Sequence, residues 1–291
     1  MPKPPLTVVL TDGLGNQMFQ YAAALAAALR RRLPLQIDAT SGFQWNIHGR
    51  RFELDAFRLS APVTVCPAHR LLHAATRTLE GNAMRFGHYH LAPLHYWISR
   101  HARSVTGFFQ SPAYFQDAAS RVRDEFQPAQ ALPSPIRQLA SECAHPSTVG
   151  IHFRLAHALS ASGTPVTPAL SGPRYLHPLI AYYASAVAFI KQAIHHPRWL
   201  ILTDSPSLDL TPFGISNPLA IRVANANHPP AWDQWLLSQC PNIIIGRSTF
   251  SWWAAWLSPH SGARICAPRI FRPGGSSVTP KDIYPSHWNL L

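Results

Sequence analysis

Acidic residues are scarce in this chain: its 291 residues include 13 Asp and Glu against 25 Lys and Arg, which gives a formal net charge of +12. The 16 histidines would add positive charge at mildly acidic pH. This excess is typical either of a generally basic surface or of an anionic partner, such as a sugar nucleotide, an acidic glycolipid or nucleic acid. Nucleic-acid binding is disfavoured, because the aromatic residues stand in apolar runs and are not interleaved with Lys and Arg.

Cysteines and paired carboxylates are also sparse. The four cysteines lie far apart without a Cys-x-x-Cys pair, which argues against a structural zinc site and against a disulfide scaffold. Buried free thiols in a reducing compartment are the simplest interpretation. No Asp-x-Asp sequence is present to hold a divalent cation. We therefore expect no metal and no other cofactor.

Long hydrophobic runs are absent as well. The apolar run over residues 22–29 is far too short to span a membrane, and residues 1–5 contain no signal-peptide core. No Asn-x-Ser/Thr glycosylation site occurs. These absences predict a cytoplasmic protein, whose basic surface could hold it peripherally at the inner face of the membrane.

Candidate strands and helices alternate along the chain, which predicts an α/β fold with parallel sheets. The proline-bounded residues 128–146 are the predicted linker zone, so the expected domains are 1–145 and 146–291. The histidine-rich residues 61–101 receive no assignment. The predicted strands are 6–10, 35–38, 104–109, 148–153, 199–203, 220–223, 243–245 and 264–267, and the predicted helices are 18–32, 112–126, 136–143 and 179–195.

Two strand-to-helix junctions have the composition of an anion-binding site. In the first, Gly13 and Gly15 follow an apolar strand, and Asn16 and Gln17 lead into a helix. The third glycine of a dinucleotide fingerprint is missing, which disfavours NAD. In the second, a glycine, an arginine and two hydroxyl residues follow the strand 243–245 and lead into a Trp-rich helix. Backbone N–H groups at such helix starts can bind phosphate, so the junctions predict one anionic ligand held by both halves of the chain.

Both junctions resemble the signatures of one family. The string Gly-Leu-Gly-Asn-Gln-Met-Phe-Gln-Tyr-Ala-Ala (13–23) closely resembles the N-terminal signature of the α-1,2-fucosyltransferases, glycosyltransferase family 11. The string Ser-Thr-Phe-Ser-Trp-Trp-Ala-Ala-Trp-Leu (248–257) resembles the family's C-terminal signature. Further blocks that resemble the family, in its own order, are 52–57, 107–115, 149–154, 202–204 and 282–285.

The resemblance implies a GT-B glycosyltransferase of two Rossmann-like domains, with 1–145 on the acceptor side and 146–291 binding the GDP-sugar. It implies an inverting transfer of L-fucose from GDP-fucose to a galactoside hydroxyl of a glycan or glycolipid, in α-1,2 linkage. Two alternatives stay open beside it. One is a catalytically weakened homologue that still binds a nucleotide sugar or glycan, and the other is a basic nucleic-acid-binding protein.

The resemblance also assigns site residues. Arg154, at a predicted strand end, would contact the diphosphate and neutralise the leaving group, unless it forms a surface salt bridge. His152 lies on the same face and would support the site, unless it is a satisfied strand-end histidine. Asp204 would accept from guanine or ribose, or cap the next turn. The ligand contacts implied at the two junctions are Gly13, Gly15, Asn16, Gln17, Arg247, Ser248, Thr249 and Phe250. A Ser or Thr at a helix start is also an ordinary N-cap.

Departures from the family pattern concentrate at this site. After the His-Phe-Arg of residues 152–154, where the family has a second arginine and then an aspartate, this chain has Leu155 and His157. Asp12 replaces the first glycine of the N-terminal string, and Arg247 replaces an asparagine. His157 is the predicted substitute base, because an imidazole can accept a hydroxyl proton near neutral pH. Its alternative is a solvated loop residue.

Overall fold

The chain divides into two compact units. In the computed structural model the described residues are 3–43, 49–64, 104–155, 173–206, 208–224, 228–270 and 283–291. The first unit comprises Met1–Gln130 with Pro273–Pro285, and the second comprises Ala131–Arg272 with Ser286–Leu291. The second unit therefore begins before the boundary expected at 145/146, because the helix within the predicted linker zone packs inside that unit. The acceptor and donor roles of the two domains stay predictions.

The described part of the first unit is a four-stranded parallel sheet with two α-helices. Its strands are β1 (Leu6–Val9), β2 (Leu35–Asp38), β3 (Val63–Thr64) and β4 (Ser104–Val105), and its α-helices are α1 (Leu14–Arg31) and α2 (Ala119–Glu125). The strand order is β3-β2-β1-β4, and every pair is parallel. The order reverses between β1 and β4, whose carboxyl ends are the edge where Rossmann-like sheets bind ligands.

The second unit contains a complete Rossmann-type sheet. Its strands are β5 (Thr148–Phe153), β6 (Arg198–Thr203), β7 (Ala220–Val223), β8 (Asn242–Ile244), β9 (Arg264–Ala267) and β10 (Asn289–Leu290). Its helices are α3 (Ser134–Cys143), α4 (Pro173–Ala193), α5 (Pro230–Ser238) and α6 (Thr249–Trp256). The order β7-β6-β5-β8-β9-β10 is parallel throughout and reverses between β5 and β8. This is the dinucleotide-binding order, with its ligand edge at the reversal.

Most predicted elements are present, and four strands (β2, β5, β7 and β9) agree with the prediction residue for residue. The strand predicted for 104–109 stops at Val105, because Gly107 and Phe109 have φ angles of 148° and 48° that end an extended strand. Two short 3-10 turns replace the first part of the helix predicted for 112–126, and Pro178 lies inside α4 instead of its first turn. Within the described ranges, no helix combines the length and apolar composition needed to cross a lipid bilayer.

Strand β5 is the centre of the second unit's core. Its alternate residues Val149, Ile151 and Phe153 are fully buried and pack with Tyr183 and Ile190 of α4. This alternation places the intervening residues of β5 on the opposite face of the sheet. That face carries α5 and α6, so the strand is covered on both sides, as a parallel strand requires.

The Trp-rich helix and the cysteines also belong to the core. Trp252 and Trp253 are fully buried and meet edge to face, so they are packing residues of the core. Three of the four predicted free thiols are described, and all three are buried: Cys143, Cys240 and Cys266. Cys66 lies outside the described residues.

A buried carboxylate joins three segments of the first unit. Glu125, at the end of α2, accepts hydrogen bonds from the Tyr21 hydroxyl of α1 and from the Ser60 hydroxyl (2.6 Å) and N–H (3.1 Å). Arg121 Nε lies 2.7 Å from the same carboxylate. Burial alone would raise the pKa of Glu125, but the hydrogen bonds from Ser60 and Tyr21 outweigh it and hold that pKa below its usual value. Burial and the bond to Glu125 raise the pKa of Tyr21.

We predict that Glu125→Ala lowers the free energy of unfolding by about 2–4 kcal/mol, because buried donors on Tyr21 and Ser60 lose their acceptor. Folding lowers the pKa of Glu125, so its contribution is present above the ordinary carboxyl pKa of 4.5 and is lost as pH falls below it. Chemical denaturation at pH 7 and pH 4 measures both effects. Asp124→Ala, at the exposed neighbouring position, is the control and should cost less than about 0.5 kcal/mol. Equal losses for the two variants would contradict the prediction.

Candidate functional site

The predicted ligand residues of the second unit follow the two strands at which its sheet order reverses. Arg154 comes directly after β5, and Gly246, Arg247 and Ser248 form the turn from β8 into α6. The predicted diphosphate arginine and the predicted helix start thus meet at the reversal of one Rossmann-type sheet. Ligands of such sheets bind at this point.

The two strand ends are in contact at Gly246. A Cβ atom built on this glycine would lie 2.7 Å from the Tyr183 hydroxyl, 2.8 Å from the His152 carbonyl oxygen and 3.1 Å from the Arg154 Cβ. The Ser251 hydroxyl accepts a hydrogen bond from the Gly246 N–H at 3.2 Å. Position 246 therefore has no room for a side chain, which explains the glycine there.

Helix α6 begins with an ordinary N-cap. Ser248 has extended backbone angles (φ −151°, ψ 130°), and its Oγ accepts a hydrogen bond from the Phe250 N–H at 3.3 Å. The cap leaves the hydroxyl proton of Ser248 available for donation. Arg247, Ser248, Thr249 and Phe250 are all partly exposed. The positive end of the helix dipole and an arginine therefore lie together at the surface of this unit.

Arg154 is anchored by Asp204. Arg154 Nη1 lies 2.7 Å from Asp204 Oδ2, and the Leu155 N–H donates to Asp204 Oδ1 at 2.9 Å. Asp204 is 3% exposed, whereas the side chain of Arg154 is 26% exposed. Both carboxylate oxygens thus hold the loop after β5. The expected acceptance by Asp204 from guanine or ribose, or its capping of the next turn, stays a prediction beside this role.

His152 is a buried, neutral imidazole. It is 7% exposed, its ring centroid lies 5.1 Å from that of Phe250, and its Nδ1 has no hydrogen-bond partner among the described residues. Burial, and after it the neighbouring Arg154 guanidinium, lower the pKa of His152 to about 3. An imidazole with this pKa is a weak base and stays in its uncharged form, with a single ring proton, at neutral pH. The geometry therefore favours a packing role beneath α6 over proton transfer.

The glycine junction of the first unit is arranged differently. Helix α1 begins at Leu14 with Gly13 as its N-cap, so Gly15 lies buried in the first turn. The Glu53 carboxylate accepts a hydrogen bond from the Leu14 N–H, and the Arg50 guanidinium lies 3.6 Å from where a Gly13 Cβ would be. Burial raises the pKa of Glu53. A carboxylate of the chain itself thus bonds the helix start, and the ligand contacts expected at Gly13 and Gly15 stay predictions.

Gln17 holds this junction together. Its Nε2 donates to the carbonyl oxygens of Asp12 (2.7 Å) and Arg51 (2.8 Å), and its Oε1 accepts from the Glu53 N–H at 3.0 Å. Gln17 is fully buried. Its amide is bonded within the chain, and the expected contact with sugar or phosphate stays a prediction.

Asn16 faces the reversal between β1 and β4. It is partly exposed, and its Oδ1 accepts a hydrogen bond from Gln110 Nε2 at 2.8 Å. Gln110 follows β4, so this bond links the carboxyl ends of the two strands. The ligand contact expected at Asn16 stays a prediction.

Asp12, which stands where the family has a glycine, has a left-handed backbone conformation. Asp12 has a φ angle of 63°, in the region that favours glycine and that Asp and Asn tolerate better than other side chains. The replacement of the family's glycine by Asp12 therefore keeps the turn geometry. His157, the predicted base, lies outside the described residues.

Three side chains that shape the site carry no local sequence signal. They are Glu53, which bonds the start of α1, and Tyr182 and Tyr183, whose hydroxyls bond the ends of strands. The partners of the two tyrosines lie between 29 and 84 residues away along the chain. Only the tertiary structure reveals such contacts.

Comparisons with known proteins give a consistent result. Residues 99–291 match the family model described as glycosyl transferase family 11. The chain is 23% identical over 273 residues to an α-1,2-colitosyltransferase of Escherichia coli, with 89% of each chain covered. It is 25% identical over 295 residues to the O-antigen biosynthesis glycosyltransferase WbnK of Escherichia coli, covering 92% of this chain and 95% of that protein.

The solved structures identify the fold. The fucosyltransferase NodZ from Bradyrhizobium superimposes with a TM-score of 0.52 at 17% identity, covering 90% of this chain and 95% of that chain. The α-1,6-fucosyltransferase NodZ co-crystallised with GDP gives a TM-score of 0.53, also at 17% identity, with coverages of 90% and 94%. Together with the two parallel, Rossmann-like sheets, these likenesses confirm the expected GT-B architecture.

We predict that Gly246→Ala lowers the free energy of unfolding by about 1–3 kcal/mol, because its methyl group would lie within 3 Å of a backbone carbonyl and a buried hydroxyl. Gly262→Ala is the matched control, since a Cβ there meets no atom within 4 Å. It should leave stability within about 0.5 kcal/mol of wild type. Denaturant titrations measure both, and indistinguishable midpoints for the two variants would refute the close-contact explanation.

We predict that His152 makes the protein sensitive to mild acid. Folding lowers the pKa of His152 from 6.5 to about 3, so the unfolded chain binds a proton that the folded chain does not. Stability is therefore retained above pH 6.5 and lost as pH falls below it, by up to about 1.4 kcal/mol per pH unit. His152→Asn should lose less stability than wild type between pH 7 and pH 5. His196→Asn, at an exposed position, should follow the wild-type profile. Identical profiles for all three proteins would show the prediction to be wrong.

Proposed function

The chain belongs to glycosyl transferase family 11 and is a glycosyltransferase of the fucosyltransferase type, and from this premise we propose that it transfers L-fucose from GDP-fucose to a galactoside hydroxyl of a glycan. The proposed reaction inverts the donor's anomeric centre and forms an α-1,2 linkage. One observation carries the proposal. Arg154 and the start of α6 lie side by side at the β5–β8 reversal of a Rossmann-type unit.

The relatives support the substrate classes. One similar protein is an α-1,2-colitosyltransferase and another is an O-antigen biosynthesis glycosyltransferase, while NodZ was co-crystallised with GDP. We extend a guanine-nucleotide sugar donor and a surface-glycan acceptor to this chain. The net charge of +12 suits an anionic donor and would favour peripheral contact with a membrane that carries a glycolipid acceptor.

In this proposal the second unit binds the diphosphate. Negative charge develops on GDP as the bond from the sugar C1 to the diphosphate oxygen breaks. The Arg154 guanidinium and the N–H and hydroxyl groups of Ser248 and Thr249 are the stabilising donors, with Arg247 as a further cation. Asp204 keeps the Arg154 guanidinium in place.

The first unit is proposed to take the acceptor. Its helix start is already bonded to the Glu53 carboxylate, which suits an uncharged sugar better than a second phosphate. Asn16, at the reversal of that sheet, offers its amide for a sugar hydroxyl. The proton of the attacking hydroxyl goes to His157 as general base, and charge is met by arginine and helix dipole without a divalent cation.

Product analysis tests this function. The protein is incubated with GDP-fucose and a panel of β-galactosides, with and without EDTA, and with a colitosyl donor as an alternative. We expect fucose on O2 of a terminal galactose, at an unchanged rate in EDTA. Tight GDP binding without any transfer would instead identify a weakened homologue. Loss of transfer in EDTA with rescue by Mn²⁺ would overturn the metal-free mechanism.

We predict that Arg154→Ala weakens GDP binding about 10- to 100-fold, the effect of losing a charged hydrogen bond of roughly 1.5–3 kcal/mol. Calorimetric titration of GDP measures the affinity. Arg198→Ala is the control, because this arginine of the same unit forms a partly exposed ion pair with Glu142 at 3.5 Å. The control should bind GDP like wild type. An unchanged affinity in folded Arg154→Ala protein would remove Arg154 from the site.

We predict that His157→Ala reduces turnover about 10²–10⁴-fold, the usual cost of losing a general base. In wild type, the rate should fall as pH drops through the ordinary imidazole pKa of about 6.5, because the protonated ring cannot accept a proton. His157→Asp should keep activity and move this limb to lower pH. Wild-type turnover and pH profile in His157→Ala would assign His157 to the solvated loop instead.

A further inference from the structure

Tyr183 is fixed rigidly at the site without contacting the surface. It belongs to α4, is fully buried, and its ring packs against Phe153 and Phe213 with centroid distances of 4.6 and 6.2 Å. Its hydroxyl reaches the carboxyl end of β5, where it accepts a hydrogen bond from the Arg154 N–H at 2.9 Å and donates to the His152 carbonyl at 2.8 Å. Tyr183 therefore bonds the backbone on both sides of the last β5 residue.

The Tyr183 hydroxyl bonds backbone groups of β5 beyond the point where its pairing with β8 ends. The β5–β8 ladder ends at the pair Ile151 and Ile244, whereas β5 continues beside β6 to Phe153. The Phe153 carbonyl bonds toward β6, through the N–H of Asp204. The flanking carbonyl of His152 and N–H of Arg154 therefore point toward β8, since backbone groups alternate along a strand. Tyr183 supplies both of the missing partners.

Tyr183 also contacts the glycine turn opposite. A Cβ at Gly246 would lie 2.7 Å from the Tyr183 hydroxyl, so this hydroxyl lies against the turn into α6 as well as against the end of β5. Arg154 is thus held at both ends. Tyr183 bonds its backbone N–H, and Asp204 pairs with its guanidinium at 2.7 Å.

We propose that Tyr183 is a positioning residue for the donor diphosphate: its hydroxyl fixes the backbone of Arg154 so that the guanidinium is held where the phosphate charge develops. This inference rests on the proposed function. Its chemical basis is that an arginine whose backbone is fixed loses less conformational freedom when it binds.

Tyr183→Phe tests this role, because it keeps the buried ring and removes only the hydroxyl. We expect GDP affinity to fall about tenfold, because the two hydrogen bonds that hold the backbone around Arg154 are lost and its contact with the diphosphate is weakened. With GDP-fucose, kcat should fall while the KM for the acceptor stays unchanged. Tyr21→Phe is the matched control, because it also keeps a buried ring and removes one hydroxyl, and its partner Glu125 belongs to the first unit. It should lose thermal stability but bind GDP within about twofold of wild type.

A double-mutant cycle with Arg154→Ala identifies the route of the effect. If Tyr183 acts through Arg154, Tyr183→Phe should cause no further loss of GDP affinity in the Arg154→Ala background. An equal loss in both backgrounds, or wild-type affinity in Tyr183→Phe, would overturn the inference. Failure of wild type itself to bind GDP would instead overturn the proposed function, so the two outcomes are distinguishable. Thermal melts of every variant confirm that the measurements are made on folded protein.

Discussion

Where one strand turns away from its neighbour, the neighbour's backbone N–H and C=O groups need other hydrogen-bond partners. Buried groups without partners are costly in free energy. In the second unit this constraint applies where β8 turns away from β5 at Gly246. The Tyr183 hydroxyl satisfies it on one side of β5, and Asp204 satisfies it on the other. The same reversal that opens a ligand edge in the sheet therefore also dictates which side chains surround Arg154.

The two units share one topology but differ at the helix start that it places at the reversal. Both sheets reverse after their first strand, and both place a helix start at the reversal. In the second unit the helix start is capped by Ser248 and flanked by Arg247 and Arg154. In the first unit the Glu53 carboxylate bonds the helix start. A positive end that is open in one unit and already neutralised in the other is consistent with a charged donor and an uncharged acceptor.

Local sequence patterns account for most of the strands and site positions that were predicted correctly. Strand β5 is an apolar run in which every residue is buried, and its bounds were predicted correctly because burial on both faces leaves a continuous signal. Arg154 could be placed at its end for the same reason. The contacts that Gln17 and Asp204 make within the chain were not predictable, because these partners lie 34 and 49 residues away. A local motif identifies a polar residue near a site but does not tell whether another part of the chain already occupies it.

The second unit is not a continuous piece of sequence, and this affects how it can fold. The chain leaves it after Arg272, contributes Pro273–Pro285 to the first unit, and returns with Ser286–Leu291. The returning segment supplies β10, the partner of β9, and Trp288, whose ring lies 5.6 Å from that of Trp252. Closing this sheet edge is a non-local step, which costs loop entropy before any contact forms and slows folding. The segment Ala131–Arg272 expressed alone would lack β10 and Trp288, so the last residues of the chain are needed to complete the second unit's sheet.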